Sequence, residues 1–134
     1  MKKLFILLLY TIFSCSSDTP VNMDEFLFDS GGRFKSLESK KVYSGPGFKE
    51  YRNGKKQEQG PIEYGWKTGK WTGWYEDGKK KYEGEYLEGV PDGPWTGFYP
   101  NGQKKYEGSY KFGFQVGKWA YFNKKGTKRL EEDY

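Results

Sequence analysis

The chain has 134 residues, 23 Lys and Arg against 18 Asp and Glu, a net charge of +5 and no His. This length suits one domain with a core of modest size, and the absence of His excludes His-ligated metal centres and His-dependent triads. The single Cys excludes an internal disulfide and any Cys-only zinc site. Leu, Ile, Val and Phe make up less than a fifth of the chain, a level at which disorder competes with folding. The small net charge, 12 Tyr and 5 Trp oppose that outcome, because Tyr and Trp bury large areas. Many aromatics and 19 Gly with few aliphatics read as short strands and tight turns.

Met1-Lys2-Lys3 is a basic start, and residues 4–13 form an apolar run. A membrane-spanning helix needs about 20 apolar residues, so this run has the size of a signal-peptide core instead. Ile12-Phe13-Ser14-Cys15 follows at once and resembles a bacterial lipobox, with Phe13 its one departure. The resemblance implies cleavage after Ser14, a diacylglyceryl group on Cys15 and acylation of the new amino terminus, which together give stable anchoring. An ordinary secretory signal with an incidental Cys is the plainer alternative. Residues 1–14 are thus assigned as a lipoprotein signal peptide and 15–25 as a tether. Ser16, standing where Asp would favour inner-membrane retention, resembles outer-membrane sorting. The expected location is a bacterial envelope, lipid-anchored at the outer membrane. Export and a weakly basic mature chain argue against nucleic-acid binding.

Trp71, Trp95 and Trp119 mark a 24-residue period. Residues 71–94 and 95–118 agree at 13 of 24 positions, residues 119–134 are a truncated copy, and residues 47–70 keep the glycines. A strict period of this length marks a repeat architecture whose units bury their faces on their neighbours. Within a unit, Asn53-Gly54, Asp77-Gly78 and Asn101-Gly102 are dipeptides of two-residue type I′ hairpin turns, with Lys125-Gly126 a weaker version. A loop at Asp77-Gly78 would pair Trp71 with Gly84, Gly73 with Tyr82 and Tyr75 with Lys80 on one face. Thr72 with Glu83 and Trp74 with Lys81 would occupy the other. Each strand Gly then lies under an aromatic ring, a known sheet device. In the next unit Trp95 pairs with Gly108 and Gly97 with Tyr106, Tyr99 and Gly102 taking the places of Tyr75 and Gly78. Pro91 and Pro94 cannot donate to a ladder and are placed in a loop between hairpins.

The recurring Trp, Tyr and Gly pattern from about Tyr43 to Tyr134 resembles MORN repeats in their bacterial variant form. The resemblance implies an all-β fold: antiparallel β-hairpins with a 24-residue period, forming one elongated, twisted sheet over residues 43–134. The first unit departs from the pattern at Pro46. Residues 26–42 match no unit and are assigned as an N-terminal capping segment, with Phe26, Phe28 and Phe34 around Gly31-Gly32, because the end of a solenoid must be closed.

No nucleophile elbow, phosphate-cradling loop or EF-hand occurs in the sequence. The carboxylates that could pair, such as Glu83 and Glu107, recur with the repeat, which fits cross-strand partnering. Neither catalysis nor a metal or other cofactor is expected. Two surfaces remain. Lys55, Lys56, Lys79, Lys80, Lys81, Lys104 and Lys105 follow the turns and would align as a basic ridge, suited to edge protection or to anionic lipid and polysaccharide headgroups. Trp66, Trp74, Phe98, Phe112 and Phe114 lie off the glycine-matched face and suit inter-repeat packing or an aromatic strip that binds protein or glycan. The expected role is a membrane-anchored lipoprotein presenting a repeat module to a protein partner. The resemblance also extends to bacterial MORN-variant proteins labelled as antitoxins, which would bind and neutralise a toxin. A structural envelope protein holding anionic lipid or polysaccharide is the third reading.

Overall fold

The computed structural model describes residues 19–28 and 31–134. Twelve strands follow in chain order: β1 (Val21–Asn22), β2 (Phe26–Phe28), β3 (Phe34–Ser36), β4 (Gly45–Glu50), β5 (Lys56–Glu63), β6 (Trp66–Lys67), β7 (Gly69–Trp74), β8 (Lys80–Leu87), β9 (Val90–Phe98), β10 (Lys104–Lys111), β11 (Phe114–Phe122) and β12 (Lys128–Asp133). A 3-10 turn, Met23–Glu25, follows β1. One open sheet runs β1-β4-β5-β7-β8-β9-β10-β11-β12, with β6 also on β5. Every pairing in it is antiparallel except β1 with β4. The strands β2 and β3 form a separate hairpin. The all-β hairpin repeat expected from the sequence is the architecture observed.

One face carries the core. Trp71 pairs with Gly84 and Gly73 with Tyr82, and in the next unit Trp95 pairs with Gly108 and Gly97 with Tyr106, as the spacing predicted. The rings lie differently from the expectation in one respect. Gly73 is covered by Tyr82 of its own hairpin, but Gly84 is covered by Trp95 of the next unit, not by Trp71. Trp71 covers Gly60 and Trp119 covers Gly108 in the same way. Each Trp therefore reaches back across the junction between hairpins. Trp71 and Trp119 are buried almost completely, and the rings form a ladder, with Tyr82 stacked on Trp95 at 5.3 Å and Tyr110 edge-on to Trp119 at 4.9 Å. At the amino-terminal end, Met23, Phe26 and Phe34 join Ile62 and Trp71 in one buried cluster.

The turns depart from the expectation. Tyr75 N–H donates to Lys79 O and Gly78 N–H to Tyr75 O, both at 2.8 Å, so the loop is Glu76-Asp77-Gly78 closed by Tyr75 and Lys79. This is a three-residue loop with Gly78 at φ +90°, in place of a two-residue type I′ turn. Tyr75 consequently faces Lys79 and Trp74 faces Lys80, correcting the Tyr75–Lys80 and Trp74–Lys81 pairs. Lys81 is the extra residue of a bulge that restores the register at Tyr82. The two-residue loops with both residues at positive φ lie instead between the units, at Tyr64-Gly65, Glu88-Gly89 and Phe112-Gly113. Pro91 and Pro94 lie within β9, not in a loop. They flank an irregularity in the β8–β9 ladder, where Gly93 has φ +114°. The ladder is already interrupted there, so the missing N–H groups are tolerated.

Gly73→Val would drive a side chain into the Tyr82 ring and should lower stability by about 1–3 kcal/mol. Thr72→Val on the other face should cost much less. Thermal melts of the two variants compare them directly, and equal shifts would contradict the covering role of Tyr82.

Candidate functional site

The second face of the sheet is polar at its centre. A cross-strand row runs Gln59, Thr72, Glu83, Thr96, Glu107, Ala120, Glu131. In a regular strand, residues i and i+3 point to opposite faces. The bulge at Lys81 brings Lys80 and Glu83 to the same face, with Nζ 2.5 Å from Oε1. The device recurs each period: Lys104 to Glu107 at 2.6 Å, Lys128 to Glu131 at 2.6 Å and Lys56 to Gln59 at 2.5 Å. The lysines expected as one basic ridge thus separate into rows that are already engaged. Lys80 and Lys104 are ion-paired on the polar face, whereas Lys81 and Lys105 lean over the rings of Tyr75 and Tyr99, each at 5.8 Å. Lys79 pairs with Asp77 at 3.2 Å, and Lys55 donates to the Asp77 carbonyl at 3.3 Å.

The aromatic candidates also separate. Trp74 faces Lys80, and Phe98 faces Lys104. Phe122, facing Lys128 and not singled out from the sequence, continues this row at the same period. All three are half-buried. The polar face opens between β9 and β12 into a hollow of about 610 Å³ lined by Pro94, Thr96, Glu107, Ser109, Lys118 and Glu131. Its origin is a break in the repeat. Lys70 contacts Glu83 Oε2 at 3.7 Å and Lys118 contacts Glu131 Oε1 at 3.3 Å, but the equivalent position in the middle unit is Pro94. Glu83 and Glu131 therefore have a lysine at each oxygen, whereas among the described residues Glu107 is bridged by Lys104 alone.

Trp66, Phe112 and Phe114 lie at the opposite margin, where the two-residue turns are. Trp66 packs against Gly89 of the next turn. Phe112 and Phe114 are 64% and 75% exposed. The Phe112 turn is fixed by Asp92, which accepts from Phe112 N–H at 3.0 Å and from Lys111 at 3.1 Å. Those bonds hold the Asp92 carboxyl below its ordinary pKa.

A further cluster was not foreseen. Glu58 occupies the place of Tyr82 and Tyr106 in the period, and Lys67 that of Pro91. They meet at 2.7 Å on the core face, with side chains less than a fifth exposed. Tyr82 donates to the second Glu58 oxygen at 2.9 Å, and Lys67 lies 4.1 Å over the Trp71 ring. Burial, reinforced by Glu58, pushes the Tyr82 hydroxyl far above its usual pKa. The only signal in the sequence was a pair of charges at positions where the other units carry uncharged residues.

Cys15 lies outside the described residues. Among those that are described, no group of three or more His, Cys, Asp or Glu could hold a metal ion, and no helix is long and apolar enough to cross a membrane. The chain is a single sheet of stacked hairpins, with its core on one face and a polar, aromatic-edged surface on the other. Two stretches, residues 67–88 and 91–112, match the MORN repeat variant family, each spanning one hairpin around a Gly78-type loop. Repeats of this family serve protein or membrane binding. No curated protein and no solved structure matches the chain.

The two kinds of ion pair should respond differently to mutation. Glu58→Ala leaves the Lys67 ammonium and the Tyr82 hydroxyl without their acceptor and should cost about 1–3 kcal/mol in urea unfolding. Lys80→Ala removes an exposed pair and should cost about 0–1 kcal/mol. Hydrogen bonding from Lys80 depresses the Glu83 carboxyl pKa below its ordinary value of 4.5. A carboxyl pKa lowered by folding stabilises the folded state above 4.5, and the effect fades as pH falls through the depressed value. The stability difference between the parent and Glu83→Gln should shrink across that acid range and stay flat at neutral pH.

Proposed function

We propose that this chain is a lipid-anchored envelope protein that holds a protein partner on the polar face of its repeat sheet. The anchor is Cys15, acylated after removal of residues 1–14. The contact surface is the row Trp74, Phe98 and Phe122 with the hollow on the same face lined by Pro94, Thr96 and Glu107. The observation that carries this reading is that row: three half-buried aromatics, one per hairpin, each facing a lysine already bridged to its own glutamate. Aromatic anchors among neutralised polar groups favour a protein surface, where a few rings carry most of the binding energy. The lysines that face the three rings, Lys80, Lys104 and Lys128, are each bridged to a glutamate, so the ring row itself offers little free charge to an anionic lipid or polysaccharide and the protein partner is preferred over that alternative. A toxin is one kind of protein such a face could hold.

Two measurements test the reading. Cys15→Ser should shift the protein from the membrane to the soluble fraction and abolish labelling by a fatty-acid analogue; continued labelling would reject the anchor. Capture of a partner from envelope extract should survive high salt and the combined Lys80, Lys81, Lys104 and Lys105→Ala variant, and should be lost in Trp74→Ala with Phe98→Ala. Capture that disappears at high salt and persists without the rings would overturn the choice of surface.

A further inference from the structure

The two long margins of the sheet differ in chemistry. The three-residue loops at one margin expose Asn53, Lys55, Asp77, Lys79, Asn101 and Gln103. The two-residue turns at the other expose Tyr64 at 78%, Phe112 at 64% and Phe114 at 75%, together with Leu87 and Val90. Glu88 stands in the middle turn where Tyr64 and Phe112 stand in the others and is exposed; the apolar surface passes it through Trp66, which covers Gly89, and Val90, which borders Gly113. Charged residues make up 31% of this chain, so an apolar margin of that extent marks a contact surface.

The direction of the amino-terminal strand says what the margin meets. Val21 and Asn22 pair in parallel with Gly47 and Phe48. Thr19 and Pro20 therefore lie towards the Gly45 end of β4, and Gly45 pairs with Ile62, two residues from Tyr64. The chain enters the sheet from the apolar margin. Cys15 is four residues before Thr19, a reach of at most about 15 Å. An acyl anchor there draws this margin, not the polar one, onto the bilayer.

We propose that the margin bearing Tyr64, Phe112 and Phe114 rests on the lipid bilayer, its rings seated at headgroup level. This deepens the proposed function and rests on the acylation of Cys15. Tyr is favoured at the membrane interface and Phe buries into the headgroup–acyl boundary, and the Lys111 ammonium, 4.6 Å over the Phe112 ring, is neutralised by Asp92 at 3.1 Å, so it does not oppose the seating. The polar margin would have to shed water from Asp77, Asn101 and the flanking lysines to take the same seat. With the apolar margin down, the strands stand upright and the Trp74–Phe98 face stays in water, open to a partner.

The test uses the acylated full chain, in which the Cys15 thiol is blocked and an introduced cysteine is the only reactive one. Phe112→Cys and, as control, Asn101→Cys are labelled with an environment-sensitive fluorophore. The labelled proteins are reconstituted on vesicles of phosphatidylethanolamine with a minor share of phosphatidylglycerol. The expected result is a several-fold rise in emission with a blue shift at position 112, protection from an aqueous quencher, and persistence at high salt, while position 101 remains quenchable. Equal quenching at both positions on vesicle-bound protein overturns the seating and leaves the anchor intact. Failure of the acylated chain to partition onto vesicles overturns the anchor and the seating together. Shielding at position 112 without vesicles, with a doubled mass in solution, assigns the margin to a second copy and overturns the bilayer assignment.

Discussion

An aromatic ring laid on a backbone that has no side chain is the contact on which the rest of this fold depends. The sheet is a single layer, and the chain has few aliphatic residues from which to build a second. Burial must come from within the layer. A Cβ at Gly60, Gly84 or Gly108 would occupy the space of the Trp71, Trp95 or Trp119 ring, so glycine there is a condition of the indole lying flat. Because each Trp covers a glycine of the preceding hairpin, no hairpin completes its own core. The burial of Trp71 and Trp119 is a property of junctions, and stability accrues between neighbours, as in other quasi-one-dimensional repeats.

Polar bonds fasten the same junctions at fixed offsets. Tyr51, Tyr75 and Tyr99 each donate a hydroxyl to the carbonyl of Trp74, Phe98 and Phe122 in the next unit, at 2.7–2.9 Å. The turn glycines Gly65, Gly89 and Gly113 donate their N–H groups back to Tyr43, Lys67 and Pro91, at 2.8–2.9 Å. These bonds satisfy backbone groups that the tight loops would otherwise leave unpaired. The ladder stops at β12. Leu130 and Glu132 stand where Tyr106 and Gly108 stand one period earlier, so the last strand offers no bare glycine to another ring. Its charged residues, from Lys128 to Asp133, blunt an edge that could otherwise pair with a further strand.

Legibility in the sequence followed the range of the forces involved. The period, the strand class and the Trp71–Gly84 and Gly73–Tyr82 partners were readable because residue size and alternation fix them locally. Turn type was not, because Asn-Gly and Asp-Gly suit two loop lengths. The choice falls to Tyr75, whose backbone closes the loop and whose hydroxyl is held by the next hairpin. The covering of Gly84 by Trp95 was missed for a related reason: two indoles flank that glycine, and only the lean of the side chains selects one. The lysines looked like one ridge because a bulge, invisible in composition, decides which of Lys80 and Lys81 takes each face. The Glu58–Lys67 pair lay in the least regular unit, where the repeat gives no template.

The parallel pairing of β1 links the cap to the placement of the chain. All other neighbours in the sheet are antiparallel and joined by short loops, but a parallel partner requires a longer crossover. Residues 23–43 provide it, through the 3-10 turn and the β2–β3 hairpin, and the same crossover supplies Met23, Phe26 and Phe34 to cover Ile62 and Trp71. An antiparallel β1 would have brought the chain in at the polar loops instead. The crossover closes the exposed end of the ladder, and the strand direction delivers the amino terminus to the apolar margin. The parallel register of β1 on β4 sets the side from which an anchor on Cys15 would act.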